Sequence, residues 1–300
     1  CAFDMNCLGH QSPGLWRHPR DRSTEYHSMK YWQDLACTLE RGLFDGIFLA
    51  DVSGLYDVYA NSPDTALRAA VQVPTNDPFT IVPAMASVTK HLSFGVTGSI
   101  PYELPYTFAR RMSSLDHLTE GRIGWNIVTG YLDSAAKGAG KKKKEAHDTR
   151  YDIAHEYMQV VYRLWEESWE DDAVVRDRDS GVFTDPSKVH QIDHKGEYFE
   201  LHGVHLCEPS PQRTPVLFQA GTSPKGQAFA GEHAECVFIG GETPEIQAKS
   251  VKALREQAVA NGRSANDLKI FSVISIVVAP TDQEAEEKLA DYVQYGSHEG

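Results

Sequence analysis

Asn126, Thr129 and Tyr151 belong to one continuous run, GRIGWNIVTGYLDSAAKGAGKKKKEAHD from Gly121 to Asp148, followed at once by TRYDIAHEY. The order is an apolar strand with a polar end, then a loop, then a helix that carries Tyr151. Asn offers a donor and an acceptor, Tyr a hydroxyl, and no run of acids or thiols suggests a metal. Such a segment suits the retention of something flat and polar at a strand mouth. A second run, LFQAGTSPKG from Leu217 to Gly226, ends an apolar strand in Gly221 and opens a helix at Ser223-Pro224. Amides at a helix start, small residues and the hydroxyls of Thr222 and Ser223 make an anion cradle without a lysine, and Arg150 and Tyr151 could add a charge and a hydroxyl. A well-capped helix accounts for the same residues.

Other candidates are more ambiguous in chemistry. Asp51 closes GIFLAD, where a carboxylate serves as a base, an acceptor for a ring, or a loop cap. Paired with Glu103 of IPYELPY it also suggests a glycosidase, although sequence does not fix the separation that such a pair requires. His10, in MNCLGHQSPGLWRHP, follows the first strand end by four residues and sits near Cys7. It faces either a substrate or a loop hydrogen bond. Two histidine groupings, His190 with His194 and His202 with His205 and Cys207, lack HExxH or a closed Cys/His set; they read as structural or exposed, and no metal is expected. Neither a GxSxG elbow nor a GxGxxG turn after a first strand occurs, which leaves hydrolase and Rossmann readings little support. The lysines Lys141 to Lys144 read as a solvated loop, because no Gly sits five places before the Gly-Lys pair as a P-loop requires.

A net charge of -13 repels phosphate backbones, so no nucleic-acid partner is expected. No apolar run approaches the roughly 20 residues that span a bilayer. Five cysteines, Cys1, Cys7, Cys37, Cys207 and Cys236, form no CxxC and are odd in number, which reads as a reduced, cytoplasmic protein. The chain starts at a cysteine already inside strand-like sequence and is expected to be a fragment or a trimmed form.

The elements that must position these residues alternate along the chain. Strands are predicted over Ala2 to Asn6, Gly46 to Val52, Ser93 to Ile100, Arg122 to Thr129, Pro215 to Ala220, Cys236 to Gly240 and Lys269 to Ala279. Most are apolar without alternation, as buried parallel strands are. Between them lie amphipathic stripes such as Tyr31, Trp32, Leu35, Ala36, Leu39 and Leu43. Asp77-Pro78, Ser223-Pro224 and Thr243-Pro244 pair a capping side chain with a first-turn proline, and Thr281 with Glu284 forms a capping box. Repeated βα units make an open doubly wound sheet or a closed barrel. Polar residues at several strand ends, Asn6, Asp51, Thr97, Asn126 and Gly221, favour a (β/α)8 TIM barrel over a single switch-point site. The seven strands predict that the eighth lies beyond Gly300. The whole of 1–300 is read as one domain with an excursion at about 168–215, holding a short hairpin near Tyr198 to His205.

MNCLGHQSPGLWRHPRD, FLADVSGLYDVY, TNDPF, ARRMSSLDHLTEGRIGWNIVTGY, HDTRYDIAHEYMQVVYRLWEESWEDDAV and SPQRTPVLFQAGTSPKG together resemble the bacterial luciferase-like flavin monooxygenases. Within these, the resemblance is to the branch of long-chain alkane, dimethyl sulfide, dibenzothiophene sulfone and nitrilotriacetate monooxygenases, the alkane enzymes being nearest. It implies a luciferase-like barrel that takes reduced FMN from a separate flavin reductase and uses O2 to oxygenate a small organic substrate, in a homo-oligomer. It further implies Asp51 and Thr97 on the isoalloxazine side, Asn126 at its polar edge, and Tyr151, Gly221, Thr222 and Ser223 at the phosphate. Cys7 and His10 fall beside the reacting centre, with Tyr56, Gln72, Tyr102 and Tyr131 as substrate-wall candidates. Relatives usually carry Ser where this chain has Gly130. Three other outcomes stay open on the same residues: a monooxygenase of sulfur compounds or aminocarboxylates on the same FMN site, an FMN-binding chain without turnover, and the glycosidase barrel built on Asp51 and Glu103.

Overall fold

The computed structural model describes residues 1–10, 12–221 and 223–296. In chain order its main elements are β1 (Ala2–Met5), α1 (Met29–Arg41), β2 (Gly46–Ala50), α2 (Asp64–Ala69), α3 (Val82–Ala86), β3 (Ser93–Ser99), α4 (Pro105–Thr119), β4 (Ile123–Val128), α5 (Asp133–Gly138) and α6 (His147–Tyr162). Two hairpins follow, β5 (Val174–Asp177) with β6 (Val182–Thr184) and β7 (Ile192–Lys195) with β8 (Glu200–Gly203). The chain then alternates again through β9 (Val216–Gln219), α7 (Pro224–His233), β10 (Cys236–Ile239), α8 (Pro244–Ala260), β11 (Lys269–Ser272) and α9 (Asp282–Val293).

Each strand predicted from sequence is present, with trimmed ends. The largest trim is in β11, which stops at Ser272 and not Ala279. Beyond it Val273, Ile274, Ile276 and Val278 are exposed and outside any ladder. The excursion holds two hairpins where one was expected, and the segment near Tyr198 to His205 supplies only the second strand of the later one. Leu43 drops out of the α1 stripe: Gly42 ends the helix, and Leu43 takes φ 59° and is 89% exposed. All four cap signals are realised. Asp77, Ser223, Thr243 and Thr281 accept from the backbone N–H of Phe79, Gly226, Ile246 and Glu284.

The chain divides into two compact units, one formed by 1–97, 131–144 and 271–300, the other by 98–130 and 145–270. In the first, β1, β2 and β3 run parallel in that order, with Phe3 opposite Phe48 and Leu49 opposite Val96. Trp32, Ala36 and Leu39 of α1 are buried, as are Val82 and Met85 of α3, the helix against which α1 packs. The Trp32 indole N–H donates to the Tyr26 carbonyl at 2.6 Å, so its burial leaves no polar group unmatched.

In the second unit the order is β4, β9, β10, β11, with Asn126 opposite Phe218. Trp125 is fully buried and packs on Phe108 at 4.5 Å, with Tyr157 and Trp165 completing the cluster. A buried side chain such as Phe108 contributes about 3 kcal/mol by leaving water. Because side chains alternate along a strand, Trp125 on the helix-facing side puts Asn126 on the opposite face. A Cβ on Gly124 would stand 2.7 Å from the Phe218 ring, which places that ring on Asn126's face as well.

Candidate functional site

The second unit builds a cradle where β9 gives way to α7. Gln219, 4% exposed, accepts from the Gly221 N–H at 2.7 Å and so fixes the turn after the strand. Ser223 caps α7, its Oγ accepting from the Gly226 N–H at 3.1 Å, and Pro224 occupies the first helical position. Two glycines let backbone approach backbone here. A Cβ on Gly221 would lie 2.3 Å from Gln219 Nε2 and 2.9 Å from Gly226 Cα. One on Gly226 would lie 2.7 Å from the Tyr151 hydroxyl oxygen and 3.1 Å from Ser223 Oγ.

Tyr151 therefore reaches from α6 to the start of α7. Its ring is buried against Phe229, and its hydroxyl has no hydrogen-bond partner among the described residues. Beside it in sequence, Arg150 has a buried Nε likewise without a partner. A helix start, a hydroxyl without a partner among the described residues and tightly apposed glycines bring together the donor types that a phosphate takes. Thr222, the remaining expected member, lies outside the described residues. Asn126 is buried at the end of β4. Tyr102 also belongs to this unit, and its hydroxyl would stand 3.2 Å from a Cβ on Gly130. Gly130 has φ 69°, a region that penalises any Cβ.

The first unit gathers three of the four wall candidates and His10. Gln72 Nε2 donates to the His10 carbonyl at 3.3 Å, and Gln72 Oε1 accepts from the Tyr56 hydroxyl at 3.2 Å. Tyr56 and Tyr131 share a hydrogen bond between hydroxyls. This chain is braced by Ser134 of α5, which donates to the Leu55 carbonyl at 2.6 Å. The His10 ring stands edge-on to Phe3 at 4.9 Å, and burial lowers its pKa, so the imidazole is neutral near pH 7. Cys7 is buried. Loss of solvent, then the nearby charges of Asp4 and Asp51, push its thiol up to about 11. Near neutral pH it is a thiol and not a thiolate nucleophile. Asp51 is partly buried with Ser53 Oγ at 3.5 Å, and Thr97 is buried on β3.

Glu103, the other half of the imagined glycosidase pair, accepts from Arg111 at 2.6 Å in the second unit. A carboxylate locked to a guanidinium is a poor proton donor. The tempting histidines are likewise engaged: His190 with Glu170, His194 with Glu156, His202 with Asp193, and His205 with Ser113. Lys144 pairs with Asp133 at 3.6 Å in the loop after α5, a structural tie and not an anion site.

Sequence reading missed two carboxylates whose surroundings shift their pKa in opposite directions. Glu156 on α6 is desolvated, which raises its pKa. His194 and the backbone N–H groups of Tyr198, Phe199 and Glu197 outweigh that and hold it below the usual range. Asp4 on β1 goes the other way: burial, partly offset by the Met5 N–H and reinforced by Asp21, raises it to about 6. Neither has a motif, because their partners are remote in sequence or belong to the main chain.

Parallel strands alternating with helices define an α/β protein of the luciferase-like kind. Residues 5–299 match the family described as Luciferase-like monooxygenase, and the chain belongs to it. It is similar to the long-chain alkane monooxygenase of Geobacillus thermodenitrificans, 56% identical over 100% of this chain and 68% of that protein. It is similar also to the dimethyl-sulfide monooxygenase of Hyphomicrobium sulfonivorans, 53% identical over 100% of this chain and 62% of that protein. A crystal structure of riboflavin lyase with modified FMN and riboflavin superposes with a TM-score of 0.94 at 41% identity, covering 99% of this chain and 66% of that one. The chain thus spans about two thirds of the length of the proteins it matches. Among the described residues no helix is long and apolar enough to cross a membrane.

Proposed function

We propose that this chain is the FMN-binding part of a two-component monooxygenase that receives reduced FMN from a separate flavin reductase and oxygenates a small organic molecule with O2. The observation that carries this reading is the cradle of Gly221, Ser223 and Gly226 with the Tyr151 hydroxyl turned into it and without a partner among the described residues. Bound flavin would supply the electrons that activate O2. The protein's share is binding, orientation and exclusion of water.

In this reading Tyr151 donates to a phosphate oxygen, the first turn of α7 adds its amides, and Thr222 adds a hydroxyl. Asn126 meets the polar edge of the ring system, while Asp51 and Thr97 take the ring-side role that the family resemblance implies. His10, neutral and able to donate from one nitrogen while accepting at the other, holds or passes the proton that oxygen transfer requires. Cys7 is wall only. Tyr56, Gln72, Tyr102 and Tyr131 border the substrate. A long-chain alkane is the first substrate class to test, and a thioether is the second, supported by 53% identity to the dimethyl-sulfide enzyme.

The test is a titration of the chain with FMN, followed by product analysis with reductase, O2 and a mixed pool of alkanes and thioethers. Saturable binding with an oxygenated product is expected. Binding without product sinks the monooxygenase reading and leaves a flavin-binding chain; no flavin affinity at all sinks both. Replacing His10 by Ala should leave FMN binding intact and divert reduced flavin into hydrogen peroxide.

A further inference from the structure

Three ligand-type side chains converge at the far end of α7 from the cradle. His155 Nδ1, on α6, stands 3.1 Å from His233 Nε2, and the Glu232 carboxylate lies 3.5 Å from each of these nitrogens. Two imidazole nitrogens at that separation share a single proton, and 3.5 Å is too long for a good hydrogen bond to the carboxylate. Hydrogen bonding therefore leaves the cluster underused. One ligand atom from each of the three side chains lies within 4.8 Å of the other two. A small rotation of the carboxylate brings that spacing to the face of a coordination tetrahedron, whose ligand atoms lie about 3.3 Å apart when metal bonds are about 2.0 to 2.1 Å long.

The surroundings fit the same reading. The other nitrogen of His233 lies 3.1 Å from the Tyr162 hydroxyl, and its ring packs on Phe229 at 4.6 Å, so the imidazole is held with Nε2 toward His155. Partners of that kind set the tautomer of histidine ligands. His233 is buried while His155 and Glu232 are 36% and 47% exposed in their side chains, which leaves a fourth position facing water. Residues 232 and 233 end α7, and a helix C-terminus favours positive charge. Arg263 already answers that field by donating to the Gly231 carbonyl at 3.0 Å, leaving the Glu232 carboxylate to the imidazoles.

We propose that His155, Glu232 and His233 bind a borderline divalent cation, best matched by Zn2+, with water as fourth ligand. Bound there, the ion ties the end of α7 to α6, the two helices that carry the cradle residues. The site is independent of the flavin reading.

The full chain, freed of metal with a chelator and dialysed, is titrated with Zn2+ by calorimetry and with Co2+ by visible absorption. One ion per chain with the intense bands of tetrahedral cobalt is expected. His155→Ala and Glu232→Gln, both at surface positions, should weaken Zn2+ binding more than about tenfold with circular dichroism unchanged, and Tyr162→Phe about tenfold through the His233 ring. Absence of binding, an octahedral cobalt spectrum, or unchanged affinity in the His155 and Glu232 variants overturns the proposal.

Discussion

The cradle of the second unit and the hydroxyl relay of the first are built by opposite means. Around Gly221 and Gly226 the surface is backbone and small atoms, with added Cβ atoms falling within 3 Å of fixed neighbours. Around Gln72 it is a relay of side chains, in which each amide or hydroxyl is held by another that could itself be exchanged. A backbone surface suits a group that never changes, such as a phosphate. An exchangeable side-chain relay suits a group that varies between relatives acting on alkanes and on dimethyl sulfide. The two units also treat buried carboxylates differently, Glu156 being fully answered by donors and Asp4 only partly.

That difference is tested first where the effect is largest. Glu156→Ala removes the acceptor for three backbone N–H groups at the β7–β8 turn and for His194. A loss of about 3 kcal/mol in urea unfolding is expected, as for breaking a buried, hydrogen-bonded charge. The pH dependence has a definite sign. The folded pKa is depressed, so the contribution is present above the unfolded value of 4.5 and fades as pH falls through the lower folded value. Equal acid sensitivity in mutant and wild type would remove Glu156 as the anchor.

Gly226→Ala sharpens the cradle half of the comparison. The new methyl meets the Tyr151 hydroxyl and the Gly221 Cα at once, and overpacking of roughly 2 kcal/mol should weaken FMN binding about thirtyfold. Tyr151→Phe removes only a donor to an anion, so about tenfold is expected by the same fluorescence titration. Should Tyr151→Phe prove the more damaging of the two, the hydroxyl and not the close backbone would dominate the cradle.

Much of this was legible because it rests on local signals. The buried strands announce themselves as apolar runs, and Ser223-Pro224 encodes its cap in adjacent residues. Asp51, Thr97 and Asn126 were readable as strand-end residues. The approach of Tyr151 to Gly226 was legible only as chemical complementarity to an anion, which the resemblance reinforced, since nothing in either segment specifies a contact across 75 residues. Glu156, Asp4 and the His155–His233 pair were invisible for a related reason: their environments are made by main-chain donors, desolvation or distant helices. The φ of 69° at Gly130 is a constraint of the backbone that residue type alone does not specify.

Asp4→Asn carries the carboxylate contrast to the first unit. With the folded pKa raised to about 6, the wild-type contribution is full below 3.8 and is lost as pH rises through about 6. Asn keeps an oxygen for the Met5 N–H, donated at 2.8 Å, but no charge. The variant should therefore exceed wild type by about 1 kcal/mol at pH 7.5, after screening at a partly exposed position, and lose that margin near pH 4. A margin that does not vary with pH would assign the effect to packing.

The smallest expected effect bears most directly on the wall. Tyr131→Phe removes one hydroxyl from the relay, leaving Tyr56 still donating to Gln72 and Gln72 still holding the His10 carbonyl. Because the lost bond lies at the exposed end, stability should change by less than about 0.5 kcal/mol. FMN affinity should stay within about twofold, since nothing in the cradle moves. What should change is selectivity: a wall made less polar by one hydroxyl favours an alkane over a thioether by about threefold to tenfold in kcat/KM, the worth of one modest hydrogen bond. If instead FMN affinity falls as far as in Tyr151→Phe while selectivity holds, the wall is part of the cofactor surface, and the division between a backbone cradle and a side-chain wall fails.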